Sequence, residues 1–146
     1  MPHELHASLD WAGLVVLDED ECFALLRSQA VGRLGFVDHG DPVILPVNFA
    51  VHGRSLVFRT GQGSKLAMAL MAQPVCLEAD SWDSLGHIGW SVLAKGAADA
   101  VEDEATIERL EQLPVRPWSR PDLRREWVQI LVEEVSGRRI TPDVTS

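Results

Sequence analysis

The chain has 146 residues, 46% of them hydrophobic, and its 22 acidic against 13 basic side chains give a net charge of −9. This length predicts a single domain, residues 1–146, with no room for separate cofactor and substrate domains. The acidic balance, with no dense cluster of Lys and Arg, argues against a nucleic-acid partner, and no apolar run reaches the length of a membrane span. Since the first residues also lack a signal-peptide pattern, we expect a cytoplasmic protein.

The first part of the sequence predicts one helix followed by three strands. Residues 1–16 are expected to form a loosely ordered N-terminal arm. Asp18 is a helix N-cap with Glu21 as its capping-box partner, and the helix should cover residues 19–29. Turns rich in Gly, Asp and Pro then separate three predicted strands, at residues 32–38, 42–51 and 56–60.

The second part alternates helices and strands less regularly. Helices are predicted at residues 64–72 and 104–112, the second capped by Asp103, and strands at residues 75–80, 87–101 and 127–140. Gly89 and Gly96 within the long fifth strand indicate a bulge or bend. Six strands, linked mostly by hairpins, predict a mainly β fold, a small antiparallel barrel with flanking helices.

Residues 56–70, LVFRTGQGSKLAMAL, combine a strand, a glycine-rich turn and the start of a helix. Gly61 and Gly63 let the backbone turn, and Ser64 and Lys65 bring a hydroxyl and an ammonium group to the helix N-terminus. Such an arrangement attracts an anion such as phosphate, although its spacing is not that of a P-loop. The same pattern also occurs as a plain strand, turn and N-cap, so both interpretations stay open.

Pro46 interrupts the strand predicted at residues 42–51. Because proline cannot donate to a strand ladder, it marks a free edge or a bulge. Groups freed around Val47, Asn48 and Phe49 could hydrogen-bond a flat polar ring. Alternatively, Pro46 only protects an edge strand from aggregation.

The cysteines and histidines show no ligand spacing. Cys22 and Cys76 are expected to be small, unbridged core residues. His39, His52 and His87 are expected to be solvated residues of turns or strand ends, so no metal site is predicted.

Six segments in this order resemble the pyridoxamine 5'-phosphate oxidase-like flavoproteins, and most closely their small actinobacterial FMN-binding members. The segments are VGRLGFVD, LPVNFAV, VFRTGQGSKL, GWSVLAKGAA, the RPW at residues 116–118, and VSGRRI. The resemblance covers residues 18–140. It implies a six-stranded antiparallel Greek-key split barrel of the FMN-binding type, and a homodimer with FMN at each end of the subunit interface.

The resemblance also implies which residues hold the cofactor. Pro46, Val47, Asn48 and Phe49 would lie along the isoalloxazine ring, and Arg59, Thr60, Ser64 and Lys65 would hold the phosphate. Trp90 and Ser91 would reach the flavin from the partner subunit, and Trp118 would close over it. Catalytic residues stay unassigned, because the chemistry belongs to the cofactor and requires no side-chain nucleophile.

The implied activity is that of an FMN-dependent oxidoreductase acting on a small planar or nitroaromatic substrate. The sequence lacks the second basic cluster and longer C-terminal segment of the vitamin B6 oxidases, and no histidine matches the one used by nitroimidazole-resistance relatives. Two alternatives stay open, a deazaflavin-dependent reductase and a non-catalytic flavin-binding or sensing module.

Overall fold

The computed structural model describes Leu9 and residues 13–61, 65–115 and 125–140, with the side chain of Arg125 left aside. These residues form eight strands and three helices. In chain order they are β1 (Val15–Leu17), α1 (Glu19–Arg27), β2 (Val31–Asp38), β3 (Asp41–Asn48), β4 (Ala50–His52), β5 (Ser55–Gly61), α2 (Lys65–Leu70), β6 (Pro74–Asp83), β7 (Ile88–Ala100), α3 (Glu104–Leu110) and β8 (Arg125–Ile140).

All eight strands join one curled antiparallel sheet, in the order β3-β2-β6-β7-β8-β5-β4, with β1 paired to β8. The predicted fold class, a mainly β antiparallel barrel with flanking helices, is confirmed. None of the helices formed by the described residues has the length and apolar character needed to cross a membrane.

Two strands were missed by the prediction of six. Residues 42–51, expected as one strand, divide at Phe49, whose N–H donates to the carbonyl of Ala30 over 3.0 Å. The chain thereby leaves β2 and pairs with β5 as β4. Val15 and Val16, expected in a loose arm, instead belong to β1 and pair with Arg139 and Arg138 at the far end of the sequence.

The predicted helix caps are present. The Asp18 carboxylate accepts a hydrogen bond from the Glu21 N–H over 2.8 Å, and Asp103 accepts one from the Thr106 N–H over 2.9 Å. These acceptors satisfy N–H groups that have no partner within the helix. Each of the three helices is shorter than predicted, because its last turn ends earlier.

The bulge expected in the long strand lies between Lys95 and Gly96, where the pairing of β7 with β8 shifts register. A Cβ atom at Gly96 would lie 1.9 Å from the carbonyl oxygen of Leu131. No side chain fits there, so glycine is required by the close approach of the two backbones.

The sheet has a core on each face of β5 and β8. The main core fills the curl of the sheet, and its largest side chains include Phe58, Leu26, Leu34, Leu56, Leu70 and Leu77. A smaller core of Val57, Leu110, Val115 and Trp127 lies on the opposite face of β5 and β8, with Leu110 contributed by α3.

The two cysteines differ in burial. Cys22 is fully buried in the main core, as expected. Cys76 is only half-buried and is paired with Gly35 on the neighbouring strand β2. Cys76 is therefore a residue of the sheet's outer face and not of the core.

Candidate functional site

The end of β5 carries two of the predicted phosphate ligands on opposite faces of the strand. Thr60 follows Leu56 and Phe58 on the side of the main core, and only 5% of its surface is exposed. Its hydroxyl donates to the carbonyl of Gly61 over 3.4 Å, which is long for an O–H···O bond. Thr60 is thus a buried polar group whose own hydrogen bond is weak.

Arg59 lies on the opposite face, against the smaller core. Its guanidinium stacks on the Trp127 ring, 4.9 Å from the centroid, and its Nη2 lies 3.4 Å from Oε2 of Glu111. The other carboxylate oxygen, Oε1, accepts a 3.0 Å hydrogen bond from the Trp127 indole N–H. No sequence pattern indicated this cluster, because Glu111 and Trp127 come from different elements.

Lys65 is the first residue of α2 and its side chain is exposed to solvent. The helix has six residues and buries Ala67 and Leu70 against the sheet. Ser64, the other residue expected at this helix start, lies outside the described residues. Lys65 therefore begins the helix that follows the strand carrying Thr60, with its side chain in solvent.

β3, predicted to lie along a flat ring, has one face in the core and one outward. Val47 and Phe49 are 7% and 4% exposed and pack in the main core. Pro46 is exposed and Asn48 half-buried on the other face. β3 also ends the strand order, which confirms the free edge expected from Pro46. Because the Phe49 N–H already binds Ala30, a ring on this strand would meet other groups of residues 46–48.

Next to Phe49 lies a cleft of about 350 Å³ between the end of α1 and the start of β4. Its wall is mainly apolar and includes Leu26, Phe49, Val51, Pro114 and Val115. Apolar walls beside an edge strand suit a flat aromatic ligand.

Trp90 and Ser91 lie on β7, away from β3. Trp90 is half-buried against the main core, and Ser91 is exposed between Asp80 and Arg138 on the neighbouring strands. β7 is three strand spacings from β3, about 14 Å at roughly 4.8 Å per strand. Along the sheet of one chain, β2 and β6 therefore separate Ser91 from β3. Trp118, the remaining predicted residue, lies outside the described residues.

The outer face of β2, β3 and β6 combines an ion cluster with exposed apolar side chains. Arg33 Nη1 lies 2.9 Å from Glu78 Oε1 and 2.8 Å from Asp80 Oδ2. Burial raises the pKa of Glu78, the adjacent Asp80 raises it further, and Arg33 opposes both. Beside this cluster, Val37 and Ile44 are 52% and 72% exposed.

Among the residues that the structure describes, the histidines and acids form no metal centre. His39 and His87 are turn residues with positive φ, and His52 ends β4. Across the described segments, no three His, Cys, Asp or Glu side chains converge as metal ligands.

Comparison with known proteins gives a consistent family. Residues 18–139 match the family model described as pyridoxamine 5'-phosphate oxidase. Uncharacterized protein Rv0080 of Mycobacterium tuberculosis is 34% identical over 135 residues, which cover 89% of this chain and 88% of that protein.

Two solved structures are similar over nearly their full lengths. The FAD binding protein from Mycobacterium smegmatis is 36% identical with a TM-score of 0.75, and the match covers 86% of this chain and 99% of that one. A conserved protein of unknown function from Corynebacterium diphtheriae is 33% identical with a TM-score of 0.73, covering 88% of this chain and 98% of that one.

Proposed function

Since the chain belongs to the pyridoxamine 5'-phosphate oxidase family, we propose that it is a flavoprotein, a homodimer that binds FMN and reduces a small planar or nitroaromatic substrate. The observation that carries the proposal is the arrangement around the ends of β3 and β5. The edge strand β3 offers a place for a ring, with Pro46 and Asn48 on its outward side. The end of β5 offers a place for a phosphate, with Thr60 followed by Lys65.

The phosphate end fits the chemistry of these residues. Lys65 supplies an exposed ammonium group, and among the described residues the buried Thr60 hydroxyl makes only a long bond to Gly61. An anion beside them would receive a charge-assisted bond from Lys65 and a shorter one from Thr60. Arg59 would act from the other face of β5.

The ring end fits the outward side of β3. The backbone and side-chain groups of residues 46–48 would contact the polar edge of the ring, with the apolar cleft next to Phe49 beside it. When bound, a flavin supplies hydride and electron transfer. Asn48 would contribute a donor that stabilises negative charge at that polar edge.

Strand order and exposure support the proposed homodimer. Trp90 and Ser91 lie three strands from β3 along the sheet of one chain, and a second copy would bring its own Trp90 and Ser91 to the ring. The outer face with Val37 and Ile44 is the surface that a second copy would cover.

The Mycobacterium smegmatis relative, a FAD binding protein, favours FAD as a second candidate cofactor. FAD carries the same ring and a phosphate in the same position next to the riboflavin, so the same residues would hold it.

A visible absorption spectrum of the purified protein, followed by titration with FMN and FAD, tests the proposal. We expect a flavin spectrum, or its appearance on titration, with consumption of NADH or NADPH by the loaded protein. A protein that gains no flavin spectrum from either compound would overturn flavin binding. Tight flavin binding with no reduction of the flavin by NADH or NADPH would overturn the proposed enzymatic activity and indicate a non-catalytic flavin-binding module.

Replacing Lys65 with Ala tests the phosphate end. Loss of one charge-assisted contact should weaken FMN binding by about 1.5–3 kcal/mol, with the free energy of unfolding nearly unchanged because the side chain is exposed. Arg109→Ala, which removes the same charge from the exposed surface of α3, is the control and should leave FMN affinity as it is. Equal affinities of Lys65→Ala and the wild type would show that the phosphate binds elsewhere.

A further inference from the structure

Arg59 is held by a carboxylate of its own chain. Its Nη2 lies 3.4 Å from Glu111, and its guanidinium covers the Trp127 ring. Glu111 is the C-cap residue of α3, so a helix on the outer face of the sheet supplies the negative charge. The positive charge next to the phosphate end is therefore partly offset before any ligand arrives.

The contact between Arg59 and Glu111 is incomplete. A guanidinium can bind a carboxylate through two parallel hydrogen bonds, but here a single nitrogen meets a single oxygen at a long distance. Arg59 Nε is buried and, within the part of the chain that the structure describes, has no hydrogen-bond partner. The side chains are 23% and 42% exposed, so solutes have access to both charges.

Trp127 fixes the position of Glu111. The indole N–H donates to Glu111 Oε1 over 3.0 Å, and Trp127 itself is only 2% exposed in the smaller core. If Glu111 turned away from Arg59, it would lose this bond. The indole N–H thus holds the carboxylate beside Arg59, on the face of β5 opposite Thr60.

We propose that Glu111 is a specificity-determining residue that offsets the charge of Arg59 and disfavours a dianionic phosphate monoester relative to the singly charged phosphate of a diphosphate. The inference rests on the proposed flavin binding. FMN ends in a dianionic monoester, whereas the phosphate next to riboflavin in FAD is a monoanion, and the second negative charge of FAD is on its other phosphate. Because Coulomb repulsion grows with the product of the charges, Glu111 repels a dianion next to riboflavin more strongly than a monoanion there.

The experiment measures the dissociation constants of FMN and FAD by quenching of flavin fluorescence. The proteins are the wild type, Glu111→Gln, Arg59→Gln, the double variant and Glu108→Gln. Gln at position 111 keeps the acceptor for Trp127 while removing the charge. Glu108 is an exposed carboxylate three residues earlier on α3, so its variant controls for net charge.

We expect Glu111→Gln to tighten FMN binding about two- to fivefold, the range for one partly exposed charge pair, and FAD binding by less. The gain should vanish in the Arg59→Gln background, since the two groups act as a pair. Glu108→Gln should change neither constant by a comparable factor.

Unchanged or weaker FMN binding by Glu111→Gln, an equal gain for FAD, or the same gain from Glu108→Gln would overturn the inference alone. A gain that persists without Arg59 would overturn it as well. If no variant binds FMN or FAD, the proposed function fails and the inference fails with it. The comparison of Glu111→Gln with Glu108→Gln decides the matter even if Arg59→Gln does not fold.

Discussion

The sheet has two outer surfaces that are covered in different ways. On β5 and β8, Val57 and Trp127 are shielded by Leu110 of α3 and are almost fully buried. On β2 and β3, Val37 and Ile44 point outward with more than half of their surface exposed. The chain completes its own packing on β5 and β8, whereas the apolar side chains on β2 and β3 stay exposed to solvent.

The contrast extends to the charged groups. On the covered surface, Glu111 at the end of α3 pairs with Arg59 and accepts a hydrogen bond from Trp127. On the uncovered surface, Arg33 binds Glu78 and Asp80, one positive charge against two negative charges. The first cluster is tied to the phosphate end of the proposed site, and the second lies at the proposed dimer surface.

The largest expected effect, on the free energy of unfolding, comes from removing a side chain of α3 that covers β5 and β8. Leu110→Ala removes the fully buried leucine that α3 packs on Val57 and Trp127, and should lower the free energy of unfolding by about 2–5 kcal/mol. Leu131→Ala, at a 56% exposed position of β8, should change it by less than about 0.5 kcal/mol. Urea denaturation measures both. Equal stabilities of the two variants would show that α3 adds no packing energy.

A smaller effect is expected from a charge on the uncovered surface. Ile44→Asp should weaken the proposed homodimer about tenfold or more, because it would place an unpaired charge in the proposed apolar interface. The unfolding of the monomer should change little, since Ile44 is 72% exposed. Sedimentation or light scattering over a concentration series measures dimerisation, with Leu131→Asp as the matched control. A variant that dimerises like the wild type would remove this face from the interface.

The smallest effect concerns the cap of α3. Hydrogen bonds from the Thr106 hydroxyl and N–H lower the pKa of Asp103, so its ionised form is favoured in the folded state. The stabilisation is complete above the pKa of the unfolded chain and is lost as pH falls through the lower folded value. Asp103→Asn keeps an acceptor without this titration, so the two proteins should converge in stability in acid. Thermal melts across pH that stay parallel would contradict this.

Local patterns in the sequence predicted many of the elements. Asp18 and Asp103 cap helices because their acceptors lie within three residues of the N–H groups they satisfy. Gly96 marked the bulge, and Pro46 marked the edge strand. The unpredicted parts depend on distant partners, since β1 exists only by pairing with the last strand, and residues 42–51 divide where Phe49 binds Ala30.

In the candidate site too, some residues were indicated by the sequence, whereas other contacts depend on distant partners. The resemblance selected the residues of β3, β5 and β7, and whether they bind a flavin stays a prediction for the experiments above. The sequence contained no sign that Glu111 would meet Arg59, because the partners of a charged side chain are set by strand pairing and helix docking.

Sequence alone was enough to predict the fold class, the helix caps, the bulge and the family, since these depend on local backbone preferences and on the order of short motifs. The faces on which those motifs lie became known from the folded chain. It placed Arg59 and Thr60 on opposite sides of β5 and kept Ser91 three strands from Asn48. The physical reason is that side chains alternate along a strand, while the distances between strands depend on pairings that no local pattern specifies.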